Sequence, residues 1–408
     1  MNKTKIYLIG IGFKPLEDEV KEILLKVPYI LCFNKTLELF KKKYPIYKKI
    51  SNKIKTFRNI SKFIKFISQK ISQNEEIAVL ASGDPLYFSI GQNLISAFGK
   101  EIIKTFPDLS SLQKACSLIN ENWWEMPSVS FHGKPFNLQK LLQKLFLFKK
   151  IAILTDSKNN PSFIAKELSK IDFKENIKVF VFEKLGLEDE KLIEGNLEKI
   201  INMNFEEPNL VILKLEDELD GIIFGLKETE IIHKKGMITK DEVRAIAIHK
   251  LRLPKEGILW DIGAGSGSIS IECAKINPNL EIYAIEKDEK SCKIILENLK
   301  KFRVFNVKII HKPAEEVLYE LPQPNRVFIG GSGKRLFQIL EFLVTLKKLE
   351  IIVLSAISLD TFYTAINFLE RYKFKIDISQ ITVNRVEKLG SNNVLKALNP
   401  IFIIRAER

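Results

Sequence analysis

Residues 257–275 constrain this chain more than any other stretch. Gly257-Ile258-Leu259-Trp260 is an apolar run that reads as a buried strand. Asp261-Ile262-Gly263-Ala264-Gly265-Ser266-Gly267 follows it, and Ser268 to Lys275 reads as a helix. Strand, glycine-rich turn and helix in that order make a backbone pocket at a sheet edge, with the helix N-terminus aimed into it. About nineteen residues past Gly267, at the end of the apolar run Ile282-Tyr283-Ala284-Ile285, stands Glu286. A carboxylate at the end of the next strand can accept both hydroxyls of a ribose. The alternative is a tight turn with nothing bound.

Glycine spacing separates two cofactor classes. A dinucleotide loop wants G-x-G-x-x-G, whereas here position 268 is Ser and the glycines fall at 263, 265 and 267. That G-x-G-x-G form resembles the S-adenosylmethionine loop of Rossmann-like methyltransferases. Gly263, Ala264, Gly265, Ser266, Gly267 and Glu286 are therefore the expected cofactor contacts.

A chain of 408 residues is long enough for two or three domains. The pattern dissolves between Glu216 and Lys235, where an acidic run and Gly221 and Gly225 interrupt it. We place a linker over 216–235, a first domain over 1–215 and a second over 236–408. The second opens on Thr239-Lys240-Asp241-Glu242-Val243-Arg244, where Thr239 and Glu242 have the spacing of a capping box. Apolar runs and helical patterns alternate in the first domain too, so both are read as α/β. Its clearest turn is Ser82-Gly83-Asp84-Pro85, at the end of the strand Ile77 to Ala81. A helix from Leu86 to Leu94 is expected after it. Asp84 reads either as a ligand contact or as the cap of that helix.

The formal net charge of +14, from 64 Lys+Arg against 50 Asp+Glu, favours an anionic partner. The excess is scattered Lys, with neither a polybasic tail nor interleaved aromatics, so nucleic acid is not the expected one. Four cysteines without C-x-x-C spacing read as buried thiols, and four scattered histidines give no zinc pattern. No run is long enough to span a membrane, and the N-terminus lacks a signal-peptide core; a cytoplasmic protein is expected.

Ile9-Gly10-Ile11-Gly12 with Ser82-Gly83-Asp84-Pro85 resembles the tetrapyrrole methylase superfamily, although Phe13-Lys14-Pro15 stands where members often carry Pro-Gly-Asp. The order of such a half before a Rossmann-like methyltransferase is similar to the fused, decarboxylating precorrin-6Y C-5,15-methyltransferases of cobalamin synthesis. Ser110-Ser111-Leu112-Gln113, Ser130-Phe131-His132-Gly133, Leu154-Thr155-Asp156 and Val327-Phe328-Ile329-Gly330-Gly331-Ser332-Gly333 agree with that family. The resemblance implies one S-adenosylmethionine per domain, a corrinoid polycarboxylate substrate and self-association. It also implies methylation of carbon 15 with loss of the carbon-12 acetate carboxyl in the second domain, and methylation of carbon 5 in the first. Carried over by position, it adds Thr239 and Ala314 as cofactor contacts, with Gly10, Gly83 and Asp84 in the first domain.

Gly331, Ser332 and Gly333 follow the fourth strand of the second domain, where small residues leave room for a macrocycle and free N–H groups suit a carboxylate. The alternative is a loop leading to a helix at Leu336. Arg244 and Arg335 read as carboxylate ligands or as ion-pair partners, and His132 and His249 as bases or as hydrogen-bonded structural residues. No catalytic residue or metal ligand is assigned. An RNA methyltransferase and a non-catalytic sensor of the cofactor or of a tetrapyrrole are the competing functions.

Overall fold

The computed structural model describes residues 5–171, 176–216, 224–234 and 236–408. Contacts divide the chain into two compact units, Met1–Leu138 with Leu147–Asp217, and Gln139–Phe146 with Glu218–Arg408. Residues 217–223 and 235 of the expected linker, Gly221 among them, lie outside the described residues.

The first unit holds two sheets. Strands β1 (Ile6–Ile11), β2 (Tyr29–Phe33), β3 (Ile54–Phe57), β4 (Ile77–Ser82) and β5 (Ile103–Phe106) form a parallel sheet in the order β3-β2-β4-β1-β5. It is buried on both faces: Ile9, Ile11, Ile30, Cys32 and Leu80 enter one core cluster, while Ile6, Leu8, Leu31, Ile77 and Val79 enter another. That is why these strands read as unbroken apolar runs rather than alternating ones. Strands β6 (Ser128–Ser130), β7 (Lys150–Leu154), β8 (Ile177–Glu183), β9 (Lys191–Asn196) and β10 (Asn209–Leu215) form a second, mixed sheet in the order β6-β7-β10-β8-β9. The helix Ser111–Leu118 starts at a full capping box, with Ser110 accepting from Gln113 N and Gln113 accepting from Ser110 N.

The strands of the second unit are β11 (Gly257–Ile262), β12 (Leu280–Glu286), β13 (Val307–His311), β14 (Arg326–Ile329), β15 (Ile351–Ala356), β16 (Lys375–Ile381), β17 (Asn384–Leu389), β18 (Asn392–Ala397) and β19 (Ile401–Glu407). Seven of them make one sheet in the order β13-β12-β11-β14-β15-β19-β16, and β17 and β18 form a separate hairpin. From β13 across to β15 the strands run parallel, and β19 pairs antiparallel with β15 and β16. Leu259, Ile282, Phe328, Val353 and Ile403 point into one core, and Trp260, Tyr283, Val327, Ile352 and Ile404 into the other. The chain leaves β11 for β12 on one side and later returns to β14 on the other. Strand order thus reverses between β11 and β14, and a crevice opens at their carboxyl ends.

Two expectations about helix starts are corrected. No helix runs from Leu86; residues 84–90 form turns, with Asp84 Oδ1 accepting from Leu86 N at 2.7 Å, and the helix begins at Gly91. Thr239 is not a cap. The helix Asp241–Leu251 follows Lys240, whose side chain makes no capping bond, and Glu242 pairs with Arg385 instead.

Candidate active site

The glycine loop is shaped by what presses on it. Gly263, at φ +70°, stands so close to the loop after β14 that a Cβ would lie 2.1 Å from Gly331 O. The backbone N–H groups of Gly263 and Ala264 donate to Ile285 O at 2.9 and 3.2 Å, sewing the loop to the end of β12. Gly265, at φ +59°, has nothing within 4 Å of its missing Cβ, so it faces open space. Its N–H donates to Glu286 Oε2 at 2.9 Å, and Asp288 N donates to Oε1 at 3.0 Å. The Glu286 carboxylate is thereby fixed in orientation, with lone pairs left for a ligand. Gly267, at φ +77°, opens the helix Ser268–Ile276, which is buried on nearly every side.

Gly263, Gly265 and Glu286 line a cavity of about 1430 Å³ at the crevice; Gly267, expected there from the sequence, does not, and packs against Ile295 instead. Asp261 lies at its floor, 1% exposed. Its Oδ2 accepts from Ser270 N at 3.1 Å and Ser270 Oγ at 2.6 Å, while Oδ1 has no hydrogen-bond partner. Burial pushes this carboxyl up from 3.8 to about 6, against the lowering by Ser270 and with a further push from the charge of Glu286. Four carboxylates line the chamber; Asp288 pairs with Lys234 and Glu315 with Arg335, which leaves Asp261 and Glu286 to favour a cationic group.

Thr239, Ala264, Ser266, Ala314, Gly331, Ser332 and Gly333 all line the same cavity. Arg244 does not. It is 1% exposed and turned into the protein: Nη1 donates to Thr239 O at 3.0 Å, Nη2 donates to Leu226 O and to Asp241, and Nε forms an ion pair with Glu272 Oε2 at 3.1 Å. A substrate role for Arg244 is therefore corrected to a structural one. Glu272, equally buried, accepts from the N–H groups of Gly225 and Leu226. Arg335 lines the cavity but pairs with Glu315 at 3.3 Å. His249 is exposed on its helix and does not line the cavity.

Sequence reasoning passes over Asn298. This fully buried residue receives Ile232 N and donates to Ile232 O and to Ser266 O, at 2.9, 2.8 and 3.0 Å, so it ties the glycine loop to the stretch before Thr239. The signal is a polar residue at an apolar position of an amphipathic helix: Ile295 and Leu299, in the same helix Glu289–Lys301, are core residues.

In the first unit Gly10 is required by packing, since a Cβ there would lie 2.7 Å from both Asp108 N and Gly83 O. Gly83, at φ +67°, bends the chain back so that its N–H donates to Ile11 O. The loop after β1 is held by Asp108, which accepts from Phe13 N, and by Tyr44, which accepts from Gly12 N and donates to Lys14 O. The Phe13 ring rests against Gly83 and Gly186. The other family-like stretches interlock: Asp156 accepts from Gly133 N, His132 Nδ1 meets Thr155 O at 3.0 Å, and Asn159 donates to Phe131 O. Backbone hydrogen bonds, that of Asn159 first, hold the Asp156 carboxyl below its usual range.

Cys32, Cys116 and Cys273 are buried free thiols, and Cys292 is half-buried. Burial pushes Cys32 up to about 12 and Cys116 to about 11, so neither is a ready nucleophile. Among the described residues no helix is long and apolar enough to cross a membrane.

Residues 230–408 match the model of the precorrin methyltransferase domain, and residues 5–201 that of the tetrapyrrole (corrin/porphyrin) methylases. A probable cobalt-precorrin-6B C(15)-methyltransferase (decarboxylating) of Pyrobaculum aerophilum is 38% identical over 186 residues, 45% of this chain and 95% of that protein. The precorrin-6Y C(5,15)-methyltransferase (decarboxylating) of Sinorhizobium sp is 30% identical over 260 residues, 63% of this chain and 62% of that protein. The solved precorrin-6Y C5,15-methyltransferase of Geobacter metallireducens is 38% identical, with a TM-score of 0.44, covering 46% of this chain and 98% of that one. The chain belongs to the family of decarboxylating, S-adenosylmethionine-dependent precorrin methyltransferases that the precorrin-6Y C5,15-methyltransferases represent.

Proposed function

We propose that this chain methylates a corrin precursor, precorrin-6B or its cobalt form, at carbon 15 with loss of the carbon-12 acetate carboxyl in its second domain (236–408). The first domain (1–215) methylates carbon 5, and each domain binds one S-adenosylmethionine. The enzyme is cytoplasmic and self-associates. The observation that carries the reading is the crevice where strand order reverses, walled by the glycine loop and floored by two carboxylates, one with an unpartnered buried oxygen.

The residues present fit that methyl donor. Open space over Gly265 admits it close to backbone, Glu286 is held ready to accept ribose hydroxyls, and the free Oδ1 of Asp261 suits an ammonium. Thr239 and Ala314 complete the wall. When bound, S-adenosylmethionine supplies an electrophilic methyl carried on a sulfonium. The chain's own residues bind and align: holding a carbon nucleophile in register supplies much of the rate in such a transfer. The conjugated macrocycle is its own electron sink for decarboxylation, so the site needs no acid–base pair for that step. Gly331, Ser332 and Gly333 admit the broad ring beside the donor because they carry so little bulk. In the first domain Gly83 and Asp84, at the carboxyl end of β4, and Gly10 beside them form the second donor site.

The test is transfer of labelled methyl from S-adenosylmethionine to a purified corrin precursor, set beside transfer to RNA. Label in the corrin supports the proposal. Label in RNA alone contradicts it, and donor binding without transfer to either identifies a sensor.

A further inference from the structure

The cavity of the second unit is lined by six basic side chains, and four of them are already neutralised. Lys234 pairs with Asp288, Lys240 with Glu228 at 2.6 Å, Lys312 with Glu320 at 3.2 Å and Arg335 with Glu315 at 3.3 Å. The ammonium groups of Lys287 and Lys334 have neither an ion pair nor a hydrogen bond among the described residues. Both lie beside the small-residue loop after β14. Lys334 directly follows Gly333, and Lys287 Nζ stands 4.0 Å from where a Cβ on Gly333 would be. Two uncompensated like charges at one loop repel each other unless an anion joins them. The carboxylates that face the donor are committed elsewhere in the chamber: Asp261 is on the floor, and Glu286 is bound to the backbone of Gly265 and Asp288. The same mouth carries exposed apolar surface in Ile357, 70% exposed, which also lines the cavity.

We infer that Lys287 and Lys334 receive carboxylates of the substrate's side chains across the Gly331–Gly333 loop, and that Ile357 meets a face of its ring. This rests on the proposal that the cavity takes a corrin polycarboxylate, and it replaces Arg244 and Arg335 as the recognition cations. Lysine suits such a role, because a flexible point charge can follow acetate and propionate arms of different reach, where a guanidinium fork demands one planar geometry. These residues touch substrate away from the reacting carbon, so they act in binding and positioning. Their loss raises KM and leaves the chemical step nearly intact.

The experiment compares wild type with Lys287→Ala/Lys334→Ala in the full chain. Direct binding of the corrin precursor, followed by its absorbance, is measured alongside steady-state kinetics and the Kd for S-adenosylhomocysteine. Binding of a precursor whose side-chain carboxyls are converted to amides is measured on both proteins. The expected result is a rise of about tenfold or more in both Kd and KM for the acid precursor, with kcat within about twofold. The donor-analogue Kd stays unchanged, and the amidated precursor binds both proteins equally weakly. Lys287→Gln/Lys334→Gln, which keeps the bulk, should behave like the alanine variant. Unchanged precursor Kd in the double variants, or an equal loss with the amidated precursor, overturns the inference. If wild type binds the precursor without methylating it, the proposed function fails while the Kd comparison still decides the role of the two lysines.

Discussion

Asp261 is a buried acid whose second oxygen meets no protein donor, and that sets a pH signature. Its carboxyl stands at about 6 in the folded chain against 3.8 ordinarily, so the folded state binds the extra proton between those values. Stability contributed by this group is greatest below about pH 4, falls as pH rises towards 6 and is flat above; the shift corresponds to about 3 kcal/mol. Asp261→Asn keeps an acceptor for Ser270 and removes the charge. Urea unfolding should show the variant equal to wild type near pH 4 and more stable by up to about 3 kcal/mol at pH 7.5. Its affinity for S-adenosylhomocysteine should fall at the same time. A stability difference that does not change with pH would contradict the assignment. Two glycines of the loop separate packing from function. Gly263→Ala drives a methyl into Gly331 and should cost more than about 2 kcal/mol, whereas Gly265→Ala meets only open space and should cost about 1 kcal/mol of left-handed strain. Calorimetry with S-adenosylhomocysteine should nevertheless show Gly265→Ala binding at least about tenfold more weakly, because its methyl projects into the cavity proposed to hold the donor. The loop is legible in the sequence because glycine spacing is written in backbone geometry. The role of Arg244 is not, because burial and partners distinguish a clamp from a ligand, and neither follows from residue type.

At the scale of elements, the Arg244–Glu272 pair joins the start of helix Asp241–Leu251 to the buried helix Ser268–Ile276 and pins residues 225 and 226 against them. Breaking one half of a buried pair strands the other. Arg244→Ala should therefore cost about 3–5 kcal/mol in urea unfolding, and Arg244→Met with Glu272→Met should recover a good part of it. A loss below about 1 kcal/mol for the single variant would contradict the clamp. Elements buried on both faces are readable as apolar runs, and β1, β4, β11 and β12 fall close to where composition puts them. Strands β16, β17 and β18 escape such a reading, because most of their residues are exposed and none is a continuous apolar run. The helix expected at Leu86 fails for a local reason: Asp84 closes its own turn on Leu86 N, and the chain needs several more residues before Gly91 begins the helix.

At the scale of the whole molecule, the proposal puts two methyl-transfer sites on one chain, only one of which also decarboxylates. Motif order makes both halves visible in the sequence, yet the division of labour depends on which strand edge holds a working crevice. The glycine loop of the second unit lines such a crevice, and in the first unit Gly10 and Gly83 meet in close packing beside the strand end where the second donor site is proposed. Separating the two halves requires a variant that disables one and spares the other; Gly265→Val is expected to do so, because it fills the cavity of the second unit proposed to hold the donor. The most direct measurement is mass spectrometry of the product that wild type and Gly265→Val each form from precorrin-6B or its cobalt form with excess S-adenosylmethionine. Two added methyl groups and one lost carbon dioxide are predicted for wild type, and a product that keeps its carboxyl and lacks the carbon-15 methyl for the variant. Decarboxylation that persists in Gly265→Val, or a wild-type product with its carboxyl intact, would contradict the claim.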